Sequence, residues 1–230
     1  MSHKPKTTNR RHLLKAGGLC IVSSVLFGCD HEGNRSQKDS KAFPDEELGR
    51  FFPKGEPCID TIVRPMVAPV KQPSDASCWA AVWTMILSWK KNKKFSIRDA
   101  VALLGPAWVQ NLDKNTGLKA QTFTEDDFLR ASELKAKPPA NYLSAAYVEL
   151  LASHGPLWLN TGDGILNHAT LLIGARTYAD GRINFLFVDP AEGQFTQKTD
   201  SAFFEEFERE ARVIVQHGLK WDFRFQIFHW

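Results

Sequence analysis

The chain predicts an α+β domain, helical in its first half and built of antiparallel strands in its second, with a cleft where the halves meet. Two observations carry this. Between residues 77 and 155, apolar residues recur at helical spacing behind Ser, Thr and Gly boundary signals. From Leu157 onward, short runs rich in Leu, Ile, Val and Phe are separated by turn residues.

Taken in order, Ser77 stands as N-cap of a helix from Cys78 to about Lys91, whose buried stripe includes Trp79, Val82, Trp83, Ile86 and Trp89. Ser96 caps Ile97 to Leu104, and Gly105-Pro106 stops that helix. Thr124, with Asp127 three residues on, resembles a capping box for Glu125 to Lys135. Ser144 starts a helix that ends at Gly155, a natural C′ residue. Leu157 to Asn160 reads as a short strand and His168 to Tyr178 as a longer one. Asp180-Gly181 then turns the chain back into Ile183 to Val188. A helix from Ser201 to Arg209 interrupts the strands, and Val213-Ile214-Val215 and Phe223 to Phe228 finish the sheet. The stretch from Trp108 to Phe123 is expected to shape one rim of the cleft.

The first 28 residues stand apart as a signal segment. Lys4, Lys6, Arg10, Arg11 and Lys15 form a basic start without an acid, followed by the uncharged stretch Ala16 to Phe27. That stretch is too short to span a bilayer, which needs roughly 20 residues. Arg10-Arg11 resembles the pair of a twin-arginine export signal. Leu26-Phe27-Gly28-Cys29 resembles a lipobox, which implies lipidation of Cys29 and a membrane anchor. Asp30 behind it resembles the signal that retains lipoproteins in the inner membrane. Residues 29–55 read as a polar tether, and 56–230 as the domain.

Charge excludes one function class. Of 29 basic residues five lie in the signal, and none of the 26 acidic residues does, so the remainder carries 24 against 26. No basic stripe with interleaved aromatics remains to bind nucleic acid. Of four cysteines, Cys20 leaves with the signal and Cys29 is the lipid site, leaving Cys58 and Cys78. Two thiols make no disulfide framework, and a Cys58–Cys78 bridge would block any nucleophile at Cys78. No Cys/His spacing suggests a metal, and no cofactor is expected.

Cys78 carries the chemistry. A thiolate is the nucleophile, and the positive end of a helix dipole favours it. Taken alone, a small buried cysteine at a helix start is the commoner case. Gln72 lies six residues earlier, where a side-chain amide can join a backbone N–H to stabilise an oxyanion. His168, at the start of a strand beside the small Ala169, is the candidate base. His154, at a helix end, is its rival. Asp189 ends the following strand, and the Asp180-Gly181 hairpin brings it back toward His168, where a carboxylate orients an imidazole. Asp163 and Asp180 are alternatives that fit loop and turn chemistry.

Gln72 through Trp79 resembles the segment around the nucleophile of papain-like cysteine peptidases: glutamine, five residues, cysteine, tryptophan. Pro73, Ser74, Asp75 and Ala76 stand where papain itself has glycines. With Gly155-Pro156-Leu157-Trp158, Asn167-His168-Ala169 and Val188-Asp189-Pro190, the chain is similar to the compact bacterial branch, which includes secreted effector peptidases and double-glycine leader peptidases. The resemblance covers residues 56–200. It implies a papain-like fold and a peptidase acting on a peptide or protein. In it Cys78 is nucleophile, His168 base, Asp189 the orienting acid and Gln72 the oxyanion donor. The same residues also serve transamidation or cell-wall amide cleavage, and a catalytically silent binding module of this fold is the remaining alternative.

Overall fold

The computed structural model describes residues 59–118, 125–138, 140, 142–162, 167–206 and 227–230. All belong to one compact unit, Ser36–Trp230. The strands are β1 (Ile59–Ile62), β2 (Lys135–Ala136), β3 (Leu157–Gly162), β4 (Asn167–Thr177), β5 (Ile183–Asp189), β6 (Gln194–Thr199) and β7 (Ile227–His229). The helices are α1 (Cys78–Lys91), α2 (Ile97–Ala102), α3 (Pro106–Asp113), α4 (Glu125–Ser132) and α5 (Ser144–His154). A further helical segment covers 200–206. Helices thus dominate the first half and a seven-stranded antiparallel sheet the second, as a papain-like α+β fold requires.

Strand β4 organises the sheet, whose order is β2-β7-β3-β4-β5-β6. Along one edge, β3 pairs its first half, from Gly162↔Asn167 to Leu157↔Leu172, and β1 pairs its second half, from Ile62↔Gly174 to Ile59↔Thr177. Along the other edge runs β5, from Thr177↔Ile183 to Leu171↔Val188, with a bulge between Leu172 and Gly174. A Cβ on Gly174 would stand 2.6 Å from Ile62 Cδ1, so any larger residue here would make the Ile62 side chain move aside. The β4–β5 turn is the expected one: Gly181 has φ +84°, and the Tyr178 N–H donates to the Arg182 carbonyl at 2.9 Å.

Helix α1 departs from the amphipathic reading. All ten residues from Cys78 to Leu87 are buried, so the helix is enclosed on every side. Its path between β4 and α2 explains this, and the small residues Ala80, Ala81 and Thr84 let its neighbours approach. Trp83 donates its indole N–H to the Ala100 carbonyl on α2 at 2.8 Å. Trp79, Trp83, Trp108 and Trp158 all pack on Phe128, mostly edge to face. This cluster locks α1 to α3, α4 and β3. Trp108 and Trp158 are therefore core residues rather than groove linings.

Several boundaries differ from the expectation for local reasons. Gly105-Pro106 ends one helix and also opens α3, because Gly105 takes φ +115° and proline fits the first helical position. Helix α4 stops at Ser132, since Glu133 turns left-handed (φ 59°) and Lys135–Ala136 pairs with β7 instead. Helix α5 does begin at Ser144 and end before Gly155, as expected; no side chain caps it, and the Ser144 hydroxyl donates to Asp200 at 3.0 Å. Strands β1 and β6 and helix α3 have no counterpart in the sequence reading. Ser96 does cap α2, its hydroxyl accepting from the Asp99 N–H at 3.1 Å. The signal segment, Cys29, the tether, Cys58, Thr124, Asp163, residues 213–215 and 223–226 lie outside the described residues.

Candidate active site

Cys78 is the first residue of α1, its thiol free and largely buried. The residue before it behaves unexpectedly. Ser77 makes no side-chain cap; its hydroxyl donates back to the Ser74 carbonyl at 2.7 Å and accepts from the Ser74 N–H at 3.0 Å. The Ser74 hydroxyl lies 2.9 Å from the same oxygen. The Ser77 carbonyl takes the N–H groups of Ala80 and Ala81. No cap side chain therefore covers the N–H groups of Cys78 and Trp79, and the positive end of α1 faces the thiol.

The loop into that helix is fixed from the sheet side. The Gln72 backbone N–H donates to the Pro190 carbonyl at 2.7 Å, one residue after Asp189. The Gln72 side-chain amide donates to the Ser74 carbonyl at 2.9 Å, which sets its orientation. Its carbonyl oxygen is buried and makes no hydrogen bond within the protein. The same nitrogen also lies 3.4 Å from the Asp75 carbonyl, a longer and weaker contact for its second hydrogen.

His168 and Asp189 meet across the β4–β5 hairpin, 21 residues apart in sequence: Nε2 lies 2.9 Å from Oδ1. The same carboxylate oxygen accepts the Ala191 N–H at 2.9 Å, so the turn after β5 holds the acid in place. Cys78 acts on the same imidazole, raising its pKa together with Asp189. The imidazole thus bridges the helix terminus and the strand end.

Electrostatics follow from this bridge. Burial alone disfavours the imidazolium, but the hydrogen bonds and attraction of Asp189 and Cys78 outweigh it and push the His168 pKa up to about 9. The hydrogen bond from His168 holds Asp189 below the ordinary carboxylate range; burial opposes this and the Ala191 N–H assists it. At neutral pH the His168 imidazole is therefore charged.

The rival groups are engaged elsewhere. His154 stacks on His229 with ring centroids 3.9 Å apart, and burial together with the neighbouring His229, Lys137 and Lys135 lowers its pKa. Asp180 pairs with Arg182 in the hairpin turn. Among the described residues, no cluster of His, Cys, Asp and Glu is arranged to hold a metal ion.

Two features at this site escaped the sequence reading. One is the backward-facing Ser77, whose only signal is a second serine three residues earlier. The other is Gly193, at φ +64°, which lies against Lys71; a glycine in the turn after Asp189 is its only trace.

A helical half presenting a cysteine at a helix start, packed on an antiparallel sheet presenting histidine and aspartate, is the architecture of the papain-like cysteine peptidases. Residues 62–209 match the family model described as papain-like cysteine protease AvrRpt2, and the chain belongs to that family. It is a cysteine peptidase, and its substrate is a peptide or protein. No curated protein matches the chain.

Proposed function

We propose that this peptidase cleaves its substrate through Cys78, His168 and Asp189, by way of an acyl-enzyme. His168 takes the thiol proton, and the thiolate attacks the scissile carbonyl carbon. The oxyanion is met by the Cys78 N–H at the start of α1 and by the Gln72 amide. His168 then protonates the departing amine, and water activated by the same imidazole releases the acid. Asp189 keeps the ring in position and stabilises its charge. The observation that carries this reading is the His168 imidazole, 2.9 Å from Asp189 and raised in pKa by both Asp189 and Cys78.

Iodoacetamide or an epoxide probe, with mass-spectrometric mapping, tests it. Modification is expected at Cys78 in the purified domain and is abolished in Cys78→Ala; undiminished labelling at another residue overturns the assignment. Product analysis with an added amine separates hydrolysis from transamidation, since hydrolysis leaves the product as free acid.

We also propose export by the twin-arginine route and anchoring through lipidated Cys29, to the periplasmic face of the inner membrane. Arg10-Arg11 and Leu26-Phe27-Gly28-Cys29 support it. Labelled palmitate is expected in the full-length chain's membrane fraction and not in Cys29→Ser.

A further inference from the structure

Thr170 follows His168 by two positions on β4, so the two side chains share one face of the sheet. Opposite it on β3 is Leu159. On the β5 side the last paired couple is Leu171↔Val188. One step further, the same antiparallel register brings Thr170 opposite Asp189. The next residue on the same face, Leu172, pairs with Phe187. The register thus sets the polar side chains of His168 and Asp189 beside Thr170, with Leu159 and Leu172 among its apolar neighbours.

Thr170 is 7% exposed, and its hydroxyl is fully buried without a hydrogen bond to any protein group. Such a hydroxyl is destabilising, whereas valine has the same shape and would avoid that cost. The Asp189 hydrogen bonds described above, from His168 and the Ala191 N–H, both fall on Oδ1. Threonine has two accessible χ1 states and a rotatable O–H, which gives its donor reach across a strand pair.

We propose that Thr170 is a positioning residue of this site, its hydroxyl supplying a further hydrogen-bond donor to the Asp189 carboxylate. It touches neither substrate nor thiol and acts through Asp189 on the orientation of His168. A rotation about χ1 or one bridging water closes the gap between the groups. The titratable groups facing the His168–Asp189 pair are Cys78 from α1 and Lys198 from β6, the latter itself paired with Glu206. This role rests on the catalytic reading above.

The test is a titration of the Asp189 carboxyl by ¹³C NMR of aspartate-labelled protein, assigned with Asp189→Asn, in Thr170→Val, Thr170→Ala and Thr170→Ser. Loss of a donor destabilises the carboxylate. The Asp189 pKa is therefore expected to rise by about half a pH unit to one in the Val and Ala variants. The iodoacetamide rate at Cys78 should fall about threefold to tenfold in both, with both readouts restored in Thr170→Ser. An unmoved titration, or one that moves equally in Thr170→Ser, overturns the proposal. So does a Val variant that merely gains thermal stability. Failure of the catalytic reading shows separately, as absence of Cys78 labelling in the wild-type protein.

Discussion

Gly193 packs so closely on Lys71 that a Cβ added to it would lie 2.6 Å from the Lys71 Cβ and 2.9 Å from the Lys71 backbone nitrogen. One residue on, the Gln72 N–H is bonded to Pro190. The turn that carries Asp189 and the loop that leads to Cys78 are therefore clamped together. Gly193→Ala adds both this clash and a strained positive φ. It is expected to cost about 1–3 kcal/mol in urea unfolding and to slow Cys78 alkylation. Unchanged alkylation would separate the clamp from the chemistry.

Asp189→Ala is expected to leave the fold intact and to lower turnover at least about tenfold, because His168 loses its orienting acceptor. Normal kinetics would move the third role to another residue.

The same variant makes a pH prediction. The folded His168 value of about 9 lies above its ordinary 6.5, so its contribution is fully present below 6.5 and is lost as pH rises through about 9. Asp189 is shifted the other way, so its contribution is present above its ordinary 3.8 and is lost as pH falls below that. The stability difference between wild type and Asp189→Ala is expected to be greatest between 3.8 and 6.5, at most about 3 kcal/mol. It should shrink as pH rises from 6.5 to about 9, which urea titrations across pH will show.

Two serines before helices should respond differently. Ser96→Ala removes a true cap and is expected to cost about 1 kcal/mol without altering alkylation. Ser77→Ala leaves the Ser74 N–H without its acceptor in a half-buried turn. About 1–3 kcal/mol is expected there, together with slower alkylation of Cys78.

Phe128→Ala empties the centre of the tryptophan cluster and is expected to cost about 3–5 kcal/mol. A loss below 1 kcal/mol would mean that the cluster does not tie α1 to the sheet.

The candidate site was largely legible in the sequence, because each of its residues sits beside a local signal. Cys78 follows a turn-forming serine pair, His168 opens an apolar run, and Asp189 closes the run that returns from Asp180-Gly181. The hairpin's register then decides that His168 and Asp189 meet. Less of the fold was legible at the sheet margins. β6 reads Gln-Phe-Thr-Gln-Lys-Thr, a polar edge strand with too few apolar residues to show as one, although it forms a local hairpin with β5. β1 is four residues long and is held by β4, far away in sequence.

By itself the sequence determined the order of helices and strands, the family and the residue types at the site, since these follow from local periodicity, turn chemistry and short motifs. Only the tertiary structure decided which ring nitrogen of His168 faces Asp189, that Ser77 leaves the start of α1 uncovered, and that Gly193 clamps the Gln72 loop. The first two depend on which way a side chain turns, which residue pattern leaves open; the last depends on Lys71 and Gly193, over a hundred residues apart, meeting in the packed fold.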